Sequence, residues 1–273
     1  MLIDIHAHLD HERFKQDLDK IIENARKANV KTIITSGVNS TTNRHILKIK
    51  EKYPDIVQVS FGLYPMDVLA KELENNEVAD FARDLETIDV DAELKWIEKN
   101  KDKCLAIGEV GLDFSWETGK EQEQIPVFEK IIEFVKKIDK PIIVHTRKAE
   151  KECIDLLEKH KAKKVVLHCF SGKVSLIQKA VELGYFFSVP PVITRLQHFQ
   201  TLVGIVPISQ ILTETDAPYL SPVQGERNEP ANVSFTIKEI AKIKQISEKE
   251  VEATIWENAK KLFQINLNLP LYP

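Results

Sequence analysis

Residues 1–10 read MLIDIHAHLD. Met1 to Ile5, apolar but for Asp4, predict a short buried strand, and His6 and His8 follow at its end. Strand side chains alternate faces with a period of two, so both imidazoles point the same way if the strand persists that far. Two histidines on one side of a strand end can bind one metal ion through neutral ring nitrogens. A solvated turn would also accommodate H-x-H, so the reading depends on what recurs further along.

What recurs is a helical stretch, a short β-branched run, then a polar residue of unusual type. Residues 11–28 carry Phe14, Leu18, Ile21, Ile22, Ala25 and Ala28 at helical spacing. Strands are predicted at 31–37, 56–65, 104–113, 141–147, 164–172, 185–191 and 210–220. Helices are predicted at 41–52, 121–138, 149–160, 173–183, 195–203, 232–245 and 247–263. Residues 67–100 are acidic and periodic, read as helix with a long connection and a poor landing surface for nucleic acid. Eight strands alternating with helices predict an α/β fold, a (β/α)8 TIM barrel spanning 1–273 as a single hydrolase domain. An open doubly wound sheet lacks its G-x-G-x-x-G after the first strand, and Gly119-Lys120 lacks the rest of a phosphate loop.

The strand ends carry the chemistry. The first ends in His6 and His8, the fourth in Glu109, the fifth in His145, the sixth in His168 and the eighth in Asp216. In a parallel barrel all C-terminal strand ends share one rim, where active sites are built. Each residue alone has an ordinary structural use: a buried carboxylate held by backbone amides, a hydrogen-bonded core histidine, an aspartate capping a turn. Together on one rim they need a cation, because unpaired buried charge is costly. Six ligands exceed the needs of one tetrahedral zinc, whereas two divalent ions about 3.5–4 Å apart and bridged by a carboxylate would use them all. The expected division gives His6, His8, Glu109 and Asp216 to one ion and Glu109, His145 and His168 to the other. Mixed nitrogen and oxygen ligands suit Zn, Mn, Co, Fe or, less well, Mg. Cys169, next to His168, should point to the opposite face and into the core. His11, His45, His160 and His198 fall on predicted helices or loops and read as surface residues.

Bulk composition narrows the partners. A net charge of −4 over 273 residues excludes a strongly basic body, so a nucleic-acid substrate would need a local cationic cleft. Hydrophobic residues at 43% are enough for a sizeable core. Three cysteines without a C-x-x-C pair read as reduced thiols in the cytoplasm. The chain enters its first strand at once, leaving no room for a signal peptide, and no apolar run approaches a membrane span.

The stretches D-x-H-x-H-L-D at 4–10, G-E-V-G-L-D at 108–113, V-H-T-R at 144–147, H-C-F-S-G at 168–172, E-T-D-A-P-Y-L at 214–220 and R-N-E-P-A-N-V at 227–233 resemble the TatD family of metal-dependent deoxyribonucleases, in the amidohydrolase superfamily. The resemblance runs in order over nearly the whole chain. It implies metal-dependent hydrolysis of a DNA phosphodiester, and its implied ligands fall on the six residues above. Two places depart from the family pattern. Gly62-Leu63-Tyr64-Pro65 stands where the family carries G-x-H-P, and Ser188-Val189-Pro190-Pro191 where it commonly has a serine-glycine turn.

The expected function is therefore a phosphodiester hydrolase, a TatD-like deoxyribonuclease using water activated by two metals, with Glu109 as bridge and Asp216 orienting or deprotonating that water. Tyr64, Arg147, Lys173, Arg227 and Asn228 are the candidate substrate contacts. DNA, single-stranded or at ends, is the expected partner, with no membrane and no obligate protein partner. Two alternatives keep the metals: an amide or ester hydrolase such as an aminoacyl-tRNA deacylase, and a non-catalytic nucleic-acid binding module.

Overall fold

A computed structural model describes residues 1–69, 85–116 and 119–265. Eight strands form one sheet whose spatial order is the chain order, every neighbouring pair parallel. They are β1 (Leu2–Ala7), β2 (Val30–Ser36), β3 (Val57–Phe61), β4 (Ala106–Gly111), β5 (Ile142–His145), β6 (Val165–His168), β7 (Phe186–Val189) and β8 (Ile211–Thr213). The helices are α1 (Leu18–Lys27), α2 (Ser40–Lys52), α3 (Pro65–Val68), α4 (Val90–Asn100), α5 (Gln124–Ile138), α6 (Glu150–Lys159), α7 (Val174–Glu182), α8 (Gln197–Ile205), α9 (Val233–Lys244) and α10 (Glu248–Phe263).

The first and last strands meet. Thr213 Oγ1 donates to the Ile3 carbonyl at 2.6 Å, the Asp216 N–H to the His6 carbonyl at 2.9 Å, and the His8 N–H to the Ala217 carbonyl at 2.8 Å. The fold is thus a (β/α)8 barrel. Its strands are buried on both faces, as near-continuous runs of Val, Ile and Leu require in a parallel sheet under helices. Each helix presents one apolar stripe to that sheet: Ile21, Ile22 and Ala25 on α1; Phe128, Ile131, Ile132 and Val135 on α5; Ile177 and Ala180 on α7. Reciprocal capping boxes start α2 (Asn39 with Thr42) and α10 (Ser247 with Glu250), satisfying backbone donors that the first turn leaves open.

Most strands are shorter than the sequence predicts, chiefly at the C-terminal end. β8 pairs with β7 only as far as Thr213 beside Val189, so Glu214–Leu220 is loop. β3 stops at Phe61, and Pro65 opens α3. The ladders end where polar side chains crowd inward and the chains diverge into a mouth. Alternation does not carry beyond them: Cys169 has φ 45°, which turns its side chain out of the strand pattern, and it is half-buried beside the mouth rather than a strand core residue. The helix predicted over 11–28 begins only at Leu18; Glu12–Phe14 is a 3₁₀ turn that drives Phe14 into the core. Of the acidic stretch 67–100, residues 70–84 lie outside those described, and α4 accounts for its last part. No helix among the described residues is long and apolar enough to cross a membrane.

Candidate metal centre

All six expected ligands converge on the barrel mouth. His6 lies on β1 and His8 one residue past it, Glu109 on β4, His145 and His168 at the ends of β5 and β6, and Asp216 in the loop after β8. Glu109 sits at the centre and its two oxygens divide the others. Oε1 is 2.7 Å from His145 Nδ1 and 3.2 Å from His168 Nε2; Oε2 is 3.6 Å from both His6 Nε2 and His8 Nε2. Asp216 Oδ1 closes the second half, 3.5 Å from His6 Nε2 and 3.4 Å from His8 Nε2.

These residues fit a metal. His6 Nε2 is fully buried yet has no hydrogen-bond partner, a state that is expensive for a ring nitrogen. Its separations from Glu109 and Asp216 are too long for good hydrogen bonds. They match those between ligand atoms that each sit about 2 Å from a shared ion. His6, His8 and Asp216 form one compact group of possible ligands, and His6, Glu109 and His168 a second.

A further layer holds the ligands in place. His6 Nδ1 meets Ser36 Oγ at 3.0 Å and His8 Nδ1 the Ser36 carbonyl at 3.2 Å. His168 Nδ1 meets Glu214 Oε2 at 3.3 Å, and Glu214 also accepts from Ser188 Oγ (2.6 Å) and the Cys169 N–H (2.8 Å). His145 Nε2 meets Asp113 Oδ2 at 3.1 Å, and Tyr64 Oη donates to that same oxygen at 2.8 Å. Such partners choose the tautomer and so leave the other nitrogen facing the centre: Nε2 for His6, His8 and His168, Nδ1 for His145.

The electrostatics follow. Burial alone would raise the Glu109 carboxyl, but hydrogen bonds from His145 and His168 hold it well below the usual range. Burial would likewise lower His145 and His168; their carboxylate partners, Asp113 and Glu109 for the first, Glu214 and Glu109 for the second, raise both instead. His8 is held up at about 9 by Asp216 and Glu109 against its burial, whereas His6, buried and next to His168, is pushed well down. Asp113, despite burial, stays at about 2 because His145 and Ser115 bond to it.

Of the expected substrate contacts, three lie elsewhere. Tyr64 is only 9% exposed, packs with Val38, Met66 and Leu69, and turns its ring edge-on to His145 at 5.1 Å. It stands behind the ligand, because its hydroxyl finds a buried carboxylate there. Arg227 forms a two-pronged ion pair with Asp17 at the start of α1 and lies over Phe14. Asn228 is fully buried and clamps the loop after β8, its Nδ2 donating to the Thr215 carbonyl at 2.7 Å. Arg147 and Lys173 are exposed, two residues past β5 and five past β6. Sequence reasoning assigned no role to Asp113, Glu214 or Ser36. The first two stand inside the quoted motifs, which was a usable signal; Ser36 carries none.

The supporting layer can be tested. Asp113→Asn should weaken metal affinity by roughly 10–100-fold. Tyr64→Phe, one bond further out, should weaken it less and lower stability by about 1–3 kcal/mol. Calorimetric metal titration with thermal unfolding checks both, and unchanged affinity in Asp113→Asn would refute the tautomer argument.

Comparison with known proteins matches the same frame. The family described as TatD related DNase matches residues 3–264. The chain belongs to that family. It is therefore a metal-dependent hydrolase of the deoxyribonuclease class, which displaces the amide, ester and non-catalytic alternatives. It is similar to the human deoxyribonuclease TATDN3, with 40% identity over 96% of this chain and 94% of the relative. It is also similar to the uncharacterized metal-dependent hydrolase YabD of Bacillus subtilis, at 30% identity over 97% and 100%. The crystal structure of the TatD homologue YJJV of Escherichia coli superposes with a TM-score of 0.84, covering 97% of this chain and 98% of that one at 23% identity. At that identity YJJV supports the barrel of this TatD family member and nothing finer.

Proposed function

We propose that the mouth holds two divalent ions and hydrolyses the phosphodiester backbone of DNA, single-stranded or at its ends. The division of Glu109 carries this reading: one oxygen turned to His145 and His168, the other to His6 and His8. His6, His8, Asp216 and Glu109 Oε2 would hold one ion, and His145, His168 and Glu109 Oε1 the other. Nitrogen and oxygen donors without thiolate favour Zn, Mn, Co or Fe over Mg. When bound, the ions polarise a phosphoryl oxygen and lower the pKa of water towards ~7.

The chain's own groups do the rest. Asp216 has the most exposed side chain of the six, 16% accessible, so it is the carboxylate that meets water and takes its proton. Arg147 and Lys173 flank the mouth as phosphate-binding cations. With a net charge of −4 there is little general attraction for duplex DNA, so affinity comes from these few contacts. Three thiols outside any disulfide support a reducing compartment, the cytoplasm in this reading, for a single domain with no obligate partner.

Metal loading should release protons. His8, held at about 9 in the metal-free protein, is charged at pH 7 and must be neutral as a ligand, and the raised His145 and His168 act in the same direction. Loading at pH 7 should expel about one proton or more per chain, read from calorimetric titrations in buffers of different ionisation enthalpy. Elemental analysis should give two ions per chain, and chelation should stop cleavage of single-stranded DNA until metal is restored. One ion per chain, or hydrolysis in chelator, would overturn the proposal.

A further inference from the structure

We propose that Tyr219 is a stacking platform for the nucleobase next to the scissile phosphate. The proposal rests on the DNA-hydrolase reading above and adds a base-binding subsite to it. Tyr219 lies in the loop after β8, three residues beyond Asp216, and is 39% exposed although Ala217 and Pro218 before it are buried. Its ring centroid is 6.4 Å from that of His8, so the exposed aromatic borders the metal centre directly.

Its position is held from several sides. The His11 ring accepts from the Arg13 N–H through Nδ1 at 3.1 Å, which leaves the proton on Nε2; that nitrogen donates to Tyr219 Oη at 3.1 Å. The two rings meet edge-on at 5.5 Å. The Tyr219 N–H donates to the Asp216 carbonyl at 2.8 Å, and the loop is pinned by the His8 N–H on Ala217 and the Asn228 N–H on Pro218. Asp216 and Leu220, on either side, have φ 53° and 52°, a region that residues with a Cβ seldom occupy. Backbone held in that region clusters at active sites and ligand clamps. Here the loop so held presents an aromatic ring whose polar end is anchored by His11 and whose body is partly exposed. Every base has a π-face, and a fixed aromatic beside a backbone-binding centre is how proteins hold single strands without reading sequence.

The test uses the full chain, freed of metal to prevent cleavage, and a single-stranded oligonucleotide carrying 2-aminopurine at one position at a time. The parent should quench the probe strongly at one position. Tyr219→Ala should lose that quench and bind at least ~10-fold more weakly, while Tyr219→Phe and Tyr219→Trp keep both. Tyr219→Leu, which preserves bulk for the loop but has no π-face, should behave as Tyr219→Ala. An abasic nucleotide at the quenched position should cost the parent the same affinity and cost Tyr219→Leu nothing further. No position-specific quench in the parent, or equal weakening of normal and abasic strands by Tyr219→Leu, overturns the proposal. Quenching that persists in a protein unable to cleave DNA when metal-loaded supports the subsite and removes the hydrolase reading instead.

Discussion

Glu109→Gln should abolish hydrolysis and empty both ion positions, although it changes neither the size nor the shape of the side chain. Glu109 is the carboxylate that reaches both halves of the centre, with Oε1 toward His145 and His168 and Oε2 toward His6 and His8. An amide cannot bridge two cations, and its NH₂ would face imidazole nitrogens that need an acceptor. Metal contributes several kcal/mol to such transition states, and each ~1.4 kcal/mol is tenfold in rate, so kcat/KM should fall by at least ~10³-fold. Metal content and DNA hydrolysis, measured together, check it. A variant that kept two ions and a tenth of the activity would show that Glu109 is no bridge.

The same residue sets the pH response of the metal-free protein. The depressed Glu109 carboxyl stabilises the fold above the unfolded glutamate pKa of ~4.3, and that contribution is lost as pH falls. The raised His145 and His168 stabilise it below the unfolded histidine pKa of ~6.5, and theirs is lost as pH rises through the folded values. Metal-free protein should therefore lose stability on going alkaline, and added metal should restore it. In Glu109→Gln both trends should flatten. Thermal unfolding across pH 5–9, with and without metal, reads the difference.

Gly111→Ala should be severely damaging for a change of a single methyl group. Gly111 ends β4 with φ 143°, and a Cβ there would lie 2.0 Å from the His145 carbonyl oxygen. The obstacle is backbone, and it belongs to the strand that positions a ligand, so nothing can yield without moving His145. Overpacking of this kind combined with a forbidden φ belongs to the class of substitutions that exceed ~4 kcal/mol. At roughly 2–4 °C per kcal/mol, the unfolding midpoint should drop by ~10 °C or more, with metal affinity falling in parallel. A midpoint within two degrees or so of the parent would show that β4 and β5 can separate without cost.

The barrel and the convergence of six candidate ligands were legible because both are local signals. Apolar runs of four to seven residues mark buried parallel strands, and a histidine or carboxylate at the end of such a run must face the rim that all strand ends share. His6, His8, Glu109, His145, His168 and Asp216 needed nothing more than that. Where each strand stops was less legible, because pairing ends where neighbouring chains diverge, and that depends on both partners. Cys169 was misplaced for this reason: one residue at positive φ cancels the alternation on which its assignment relied.

What only tertiary structure decided are relations between side chains far apart in sequence. His168 and Glu214 are 46 residues apart, Tyr64 and Asp113 49, Arg227 and Asp17 210. No periodicity encodes such pairs; they exist because barrel closure brings loop ends within hydrogen-bond reach. Closure turned Tyr64 from a rim residue into a buried support of His145, tied Arg227 to α1, sank Asn228 under the β8 loop and left Tyr219 standing beside His8. Residue type and spacing determined which groups reach the mouth; the direction each one faces was settled by burial and by the partners that satisfied its polar atoms.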